Sequence, residues 1–359
     1  MKRTLENRPM TAGLILLLAA FGTALLTPAC SSDRSEHDEL DGPTPTLSLF
    51  AVGDTGSPWG IAPQLFGGQL AVGRAMQREH ARAPIDAFIL LGDNFYPKGL
   101  LVDELLTRVV KNIARPYCAF IDPSPQLATL LGNDCSYVGQ RPPDIFAVAG
   151  NHDFDSPGSQ RLQLYEIPRL VRNWDMPVEN APAIRELAGG LSLIFLNSGY
   201  PWGDPETRAL RDALRRARGP WRIVVGHRPP IAGHPQLSRM VTRASDQSDR
   251  VVHAYLAGHV HVLGALRGVL PAPALTVIAG SGSRARRQDA TEYRIEEADL
   301  IVEELGFVRV DLMPPTKAAP ERLRITLLET QKSAVLALLG NTTRARYEIS
   351  LEGAVDRVD

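Results

Sequence analysis

The sequence predicts an α/β fold. Two observations carry that expectation. Short apolar strand segments alternate with amphipathic helical segments along most of the chain, and five of the strands end in glycine followed at once by a polar residue. Ligands of α/β sheets gather beyond the carboxyl ends of the strands, so these ends also point to where function lies.

Taken in order, residues 46–52 (TLSLFAV) predict a strand that stops at Gly53-Asp54. Residues 65–82 have helical spacing. Residues 85–91 (IDAFILL) form an apolar run typical of a strand buried on both faces, and it stops at Gly92-Asp93. Residues 100–114 are amphipathic and predict a helix. Residues 145–149 predict a strand ending at Gly150-Asn151, and residues 191–196 are another apolar run. Residues 205–218 predict a helix, with Leu210 and Leu214 four positions apart on one face. Residues 222–225 end at Gly226-His227, and residues 251–257 end at Gly258-His259. One Gly-Asp after a strand is ordinary turn chemistry. Five such ends, each offering an oxygen or nitrogen metal ligand, are hard to explain by turns alone.

The two termini read differently. Lys2, Arg3 and Arg8 precede an apolar stretch over residues 13–26, shorter than the ~18 residues a membrane-spanning helix needs. Residues 1–29 therefore predict a signal peptide. The small residue before Cys30 resembles the bacterial lipoprotein signal, with Cys30 acylated, and an ordinary secreted protein is the alternative. Export to the periplasm or outer membrane, or secretion, follows from either. Residues 30–45 are polar, end in prolines and read as a tether. The catalytic domain is expected over residues 46–313 and a structural extension packed on the core over 314–359. Within that extension Pro314, Pro315 and Pro320 break the pattern, residues 323–328 and 346–351 read as edge strands, and residues 334–339 as helix or strand.

Composition narrows the class without naming a function. The 359 residues are 44% hydrophobic and 22% charged, which fits a core-bearing globular chain. The 39 basic and 40 acidic residues leave a net charge of −1, so there is no electrostatic case for a nucleic-acid scaffold. Three cysteines are too few for a disulfide framework, and none forms a CxxC pair. With Cys30 set aside, Cys118 and Cys135 are either a disulfide or two buried thiols.

The blocks that carry chemistry are Gly-Asp54-Thr-Gly56, Gly-Asp93-Asn94-Phe95-Tyr96, Gly-Asn151-His152-Asp153, Gly-His227 and Gly-His259-Val-His261. In this order they resemble the calcineurin-like metallophosphoesterases and, more narrowly, the purple acid phosphatases, over residues 46–283. The resemblance implies a four-layer αββα sandwich with two mixed β-sheets. It implies Fe(III) held by Asp54, Asp93, Tyr96 and His261, and a divalent ion (Zn, Fe or Mn) held by Asp93, Asn151, His227 and His259. The residues suit these roles. Two cations about 3.5–4 Å apart need a ligand with two oxygens between them, as Asp93 has, and hard anionic donors favour a hard ion.

Two features set the chain apart within the wider group. The first block is Asp-x-Gly, where most relatives have Asp-x-His, and Tyr96 follows Asp93 by three positions. A tyrosinate would replace the missing histidine; a turn aromatic before Pro97 is the plainer alternative. By the same resemblance His152 faces the substrate, and Asp153 holds its tautomer or braces the loop. His234, seven positions after His227, is a second substrate histidine at a spacing shorter than the family's. Arg228, Asn197, Tyr200, Trp59 and Trp202 read first as loop residues, with the lining of the pocket mouth as the alternative, and the basic run Arg284, Arg286, Arg287 reads as a solvated loop, with a phosphate-leaning rim as the alternative.

The function these readings imply is hydrolysis of small phosphate monoesters, in the manner of an acid phosphatase, by a metal-bound hydroxide. A phosphodiesterase or nucleotide hydrolase uses the same ligands. A surface binding lipoprotein without turnover is the alternative of another class. The only membrane partner expected is through a lipid on Cys30.

Overall fold

The computed structural model describes residues 43–57, 68–132, 141–178, 181–197, 199, 202–268, 271–287, 295, 298–332 and 340–358. The expected leader, residues 30–42 of the tether, Trp59, Cys135, Tyr200 and residues 334–339 lie outside them.

Strands β1 (Leu47–Val52), β2 (Ala87–Leu90), β3 (Asp144–Ala147) and β4 (Trp174–Asp175) come first. They are followed by β5 (Ala183–Glu186), β6 (Leu191–Phe195), β7 (Trp221–Val225), β8 (Ala254–Ala257), β9 (Leu263–Arg267) and β10 (Leu275–Ala279). The last five are β11 (Leu300–Val302), β12 (Gly306–Met313), β13 (Arg322–Glu329), β14 (Thr342–Ile349) and β15 (Val355–Arg357). They form two mixed sheets. One runs β15-β14-β13-β12-β1-β2-β3-β4 and the other β11-β9-β10-β8-β7-β6-β5. In the first sheet β1 to β4 are parallel, and in the second β6, β7, β8 and β10 are parallel.

Strand periodicity explains the layers. Leu47, Leu49 and Ala51 of β1 pack with Leu191, Leu193 and Phe195 of β6 and with Ala254 and Leu256 of β8, forming the core between the sheets. The alternate residues Phe50 and Val52 face outward and pack on Ala71, Val72, Ala75 and Met76 of the helix Gly68–Arg82. On the other side Ile194, Val224 and Tyr255 meet Leu210 and Leu214 of the helix Asp204–Arg216 and Leu237, Met240 and Val241 of the helix Pro235–Ser248. Helices therefore cover the outer face of each sheet, which is the expected αββα sandwich. The helix Asp204–Arg216 begins where the Glu206 carboxylate accepts the Gly203 N–H at 2.8 Å, with Asp204 and Glu206 in its first turn and Arg215 and Arg216 in its last, as its dipole favours.

Two expectations change. The predicted helix over 100–114 begins only at Leu105; it is α-helical over Leu105–Val109 and π-helical over Val110–Ala114. The strands read from 323–328 and 346–351 are not edge strands. β13 pairs with β12 on one side and β14 on the other, and β15 borders β14. The alternation Leu323, Ile325, Leu327 sends three side chains into the core between the sheets, which an edge assignment had not anticipated. Cys118 is disulfide-bonded.

Candidate metal centre

The five Gly-polar ends meet. Asp54 follows β1, Asp93 and Tyr96 follow β2, Asn151 to Asp153 follow β3, His227 follows β7, and His259 and His261 follow β8. These are parallel strands from the middles of both sheets, so their carboxyl ends open into one place. Hydrogen bonds tie the loops together. Gly53 N–H donates to Ala279 O (2.7 Å), Asp54 N–H to Gly92 O (2.9 Å) and Gly56 N–H to Asp93 O (3.0 Å).

The backbone is unusual at three of the candidate residues. Asp54, Asp93 and His259 have φ of +57°, +54° and +68°, a left-handed region that residues with a Cβ seldom occupy. Such conformations cost about 1–3 kcal/mol each and persist where surrounding contacts enforce them. At His259 the enforcing contact is its own N–H, which donates to Asp54 Oδ2 at 2.6 Å. Gly92, at φ +90°, also gives room: a Cβ there would lie 2.6 Å from His227 Nδ1.

The donor atoms divide into two groups that share Asp93. Tyr96 Oη donates a shared hydrogen to Asp54 Oδ1 at 2.9 Å and Asp93 Oδ2 at 2.8 Å, and lies 3.2 Å from His261 Nε2. His261 Nε2 is itself 3.4 Å from Asp54 Oδ1. On the other side His227 Nε2 is 3.4 Å from Asp93 Oδ1 and 3.1 Å from Asn151 Oδ1, and the His259 ring centroid is 5.0 Å from that of His227. Single ligand atoms of Asp54, Asp93 and His227 all lie within 4.8 Å of one another. Asp93 thus turns one oxygen to each group.

The electrostatics call for cations. Burial first, then the nearby Asp93 charge, pushes the Asp54 carboxyl well above its ordinary range. Burial and the same two carboxylates raise the Tyr96 phenol far beyond normal, so it keeps its proton unless a strong Lewis acid replaces it. Burial lowers His227 and His259, and it lowers His261 to about 4, with Arg286 and Arg284 adding to the effect. All three imidazoles are held neutral, the form that ligates metals. Buried carboxylates that repel each other beside neutral imidazoles fit metal ions.

The remaining candidates separate. His152 sits beside the Tyr96 side, its ring centroid 4.5 Å from the phenol's, and its backbone N–H donates to Asp93 Oδ1 at 2.9 Å. Its Nδ1 lies 2.6 Å from Pro97 O; a carbonyl only accepts, so Nδ1 carries the hydrogen and the neutral ring keeps its lone pair on Nε2. Asp153 takes the bracing arm of its expected role. Fully buried, it accepts from the backbone N–H groups of Asn94, Phe95 and Gly150 and from Gln163 Nε2, at 2.9–3.1 Å. Burial and then Asp93 raise it to about 7. His234 begins the helix Pro235–Ser248, with its ring 5.4 Å from His259 and 5.9 Å from Trp202. Burial, then Arg228, lowers it to about 4.

Sequence reasoning missed the support beneath Tyr96. Arg108 Nη2 donates to Tyr96 O at 2.5 Å, Asn112 Nδ2 to Gly56 O at 2.6 Å, and Arg108 Nε to Asn112 Oδ1 at 3.3 Å. The available signal was a polar Asn112 on the buried face of an otherwise apolar segment.

A two-sheet sandwich with Asp, His and Asn side chains converging at the carboxyl ends of parallel strands defines a metal-dependent phosphoesterase. The chain belongs to the calcineurin-like phosphoesterase family, whose model matches residues 47–263. No curated protein matches it in sequence. Among solved structures, it is similar to the GAP50 anchor of the Plasmodium inner membrane complex, at 14% identity and TM-score 0.53 over 79% of this chain and 84% of that one. It is also similar to the purple acid phosphatase PPD1 of yellow lupin (Lupinus luteus), at 14% identity and TM-score 0.53 over 85% of this chain and 53% of that one. A third neighbour is PhoD, at 12% identity and TM-score 0.52 over 89% of this chain and 72% of that one. At these identities the likeness is one of fold.

Proposed function

We propose that this chain is an exported dinuclear phosphohydrolase of the purple acid phosphatase type, acting on small phosphate monoesters. The observation that carries the reading is the Tyr96 hydroxyl between Asp54 Oδ1 and Asp93 Oδ2, with His261 Nε2 beside it. A turn aromatic has no reason to bury its hydroxyl between two carboxylates. Asp54, Asp93, Tyr96 and His261 would hold Fe(III), and Asp93, Asn151, His227 and His259 a divalent Zn, Fe or Mn ion. Such a pair supplies Lewis acidity toward phosphoryl oxygens and acidifies a coordinated water. The basic, apolar leader over residues 1–29 supports export, and Cys30 is the residue that would be acylated.

The chain's own residues divide the remaining work. Asp93 positions both halves of the centre through its two oxygens. Asp153 fixes the backbone of residues 94 and 95 and so sets where Tyr96 stands. His152, its Nδ1 hydrogen anchored on Pro97 O, has Nε2 left to protonate a leaving alkoxide when the ring is charged, or to donate to a phosphoryl oxygen. His234, with its ring 5.4 Å from that of His259, would contact substrate at the other half.

Metal analysis with a visible spectrum tests the reading. The purified protein should contain iron and show a purple or pink band that strong reduction bleaches. Tyr96→Phe should lose the band and part of the metal; a variant keeping both would sink the assignment. A chromogenic monoester should turn over faster than a diester, and the reverse order favours the phosphodiesterase reading. Metal-free protein without turnover, after expression with iron and zinc supplied, favours a binding role instead.

A further inference from the structure

The loop after β10 enters the same end of the sandwich as the ligands. It is tied to two of the ligand-bearing loops. Gly282 N–H donates to Gly53 O (3.1 Å), Ser283 Oγ to Asp54 O (2.5 Å) and Arg286 N–H to His261 O (2.9 Å). Whatever this loop presents is held in register with Asp54 and His261.

It presents a guanidinium. Arg284 Cζ lies 5.4 Å from the centroid of the Tyr96 ring, and Nη2 donates to Ser57 Oγ at 2.9 Å. The side chain is exposed, and among the described residues Ser57 is its hydrogen-bond partner and no carboxylate pairs with it. A guanidinium has five N–H donors, so most of its capacity is open to solvent or to a ligand. A permanent cation beside a site that gathers metal ions works against loading that site. Its placement makes physical sense when an anion is to be gathered as well.

We propose that Arg284 is a substrate-holding residue: its guanidinium grips non-bridging oxygens of the phosphoryl group from the Tyr96 side of the centre. The proposal deepens the phosphohydrolase reading and rests on it. The planar N–H fork matches two phosphate oxygens at once. An added cation attracts a dianionic monoester more strongly than a monoanionic diester, so Arg284 favours the monoester class. The aromatic face under the guanidinium limits the orientations it must give up on binding.

The experiment is calorimetric titration of the full-length, metal-loaded protein with inorganic phosphate, beside Arg284→Gln and Arg284→Lys, with metal content measured in each. Arg284→Gln should keep its metals and bind phosphate about 10–100-fold more weakly, the loss expected for a charge-assisted pair. Arg284→Lys, a point charge without the fork, should recover part of that loss. For a chromogenic monoester the KM of Arg284→Gln should rise by a similar factor, and the KM of a diester by less. Phosphate held as tightly by Arg284→Gln as by the parent, or lost only together with the metals, overturns the proposal. Arg284-dependent phosphate binding in a parent that hydrolyses no monoester would sink the phosphohydrolase reading and leave this one standing. Hydrolysis with a phosphate affinity indifferent to Arg284 would do the reverse.

Discussion

Gly150 lies directly against the carboxylate of Asp93: a Cβ built on its backbone would overlap Asp93 Oδ1, the oxygen that accepts the His152 N–H and faces His227. The glycine is there for space, since the carboxylate it touches lies between the two groups of side chains. Gly150→Ala should fold, because the residue lies in a loop after β3, but it should push Asp93 off its position. A misplacement on the order of 1 Å at a reacting centre costs about 100-fold in rate. We expect metal content and kcat to fall together, by metal analysis and monoester assay, while far-ultraviolet circular dichroism stays unchanged.

Asn112 tests the support beneath the tyrosine. It is fully buried on the π-helical turn, donates to Gly56 O and accepts from Arg108, which in turn holds Tyr96 O. π-Helical turns are frequent at functional sites, and this one carries a residue that touches the Asp54 loop. Asn112→Leu removes the side-chain donor to Gly56 O, leaving the Tyr96 N–H as a backbone donor to that oxygen. We expect a loss of about 1–3 kcal/mol by urea denaturation, the usual cost of breaking a buried polar contact. The visible band should shift or weaken because Tyr96 loses part of its anchoring.

Much of the cluster was legible in the sequence because five of its seven side chains follow a glycine at the end of an apolar strand, while Tyr96 and His261 follow Phe95 and Val260. Asp54, Asp93, Asn151, His227 and His259 could be read as a set for that reason. The near-continuous apolar runs of β1, β2 and β8 likewise mark strands buried on both faces. What escaped reading depends on distant partners. Arg108 looks like a solvated helix residue, and the polar Asn112 on the buried face has no visible partner, until the loops of Asp54 and Tyr96 are laid across them. Arg284 looks like a solvated loop arginine until β10 delivers it to Tyr96. The left-handed backbone at Asp54, Asp93 and His259 has no local marker, because the glycines beside them draw the attention. The last strands were misplaced to an edge because a β13 pattern of three core residues resembles any half-buried strand; only pairing with both β12 and β14 shows it to be interior.

Asp153→Asn separates bracing from tautomer control. All the partners of the Asp153 carboxylate described above are N–H donors, three from the backbone and one from Gln163. An asparagine turns one acceptor oxygen into an NH2 group, which then faces donors. The variant should lose about 2–3 kcal/mol of stability by chemical denaturation, from a buried donor left without an acceptor. A His152 that depended on Asp153 for its tautomer would change tautomer in Asp153→Asn. Since its Nδ1 hydrogen is held by Pro97 O, we expect nitrogen NMR of the ring to show the hydrogen on Nδ1 in both proteins.

His253 sets an acid limit on stability away from the metal centre. Its side chain is fully buried against Trp221, with ring centroids 4.7 Å apart. Nδ1 accepts the Arg222 N–H at 3.0 Å, so that nitrogen carries no hydrogen, and Nε2 donates to Leu351 O at 2.9 Å. Burial lowers the pKa below its ordinary value, and the Arg222 charge works in the same direction, while the Leu351 contact and the Glu352 charge oppose them. The folded chain therefore keeps His253 neutral, whereas the unfolded chain takes up a proton near pH 6.5. The associated stability is fully present above that value. It falls as pH drops below it, by up to about 1.4 kcal/mol per pH unit, until the folded pKa is reached. His253→Gln retains a donor toward Leu351 O and has nothing to titrate. Denaturation free energies at pH 7.5 and pH 5.0 should therefore differ less in His253→Gln than in the parent. Equal differences in the two proteins would show that His253 is not the group that limits stability in acid.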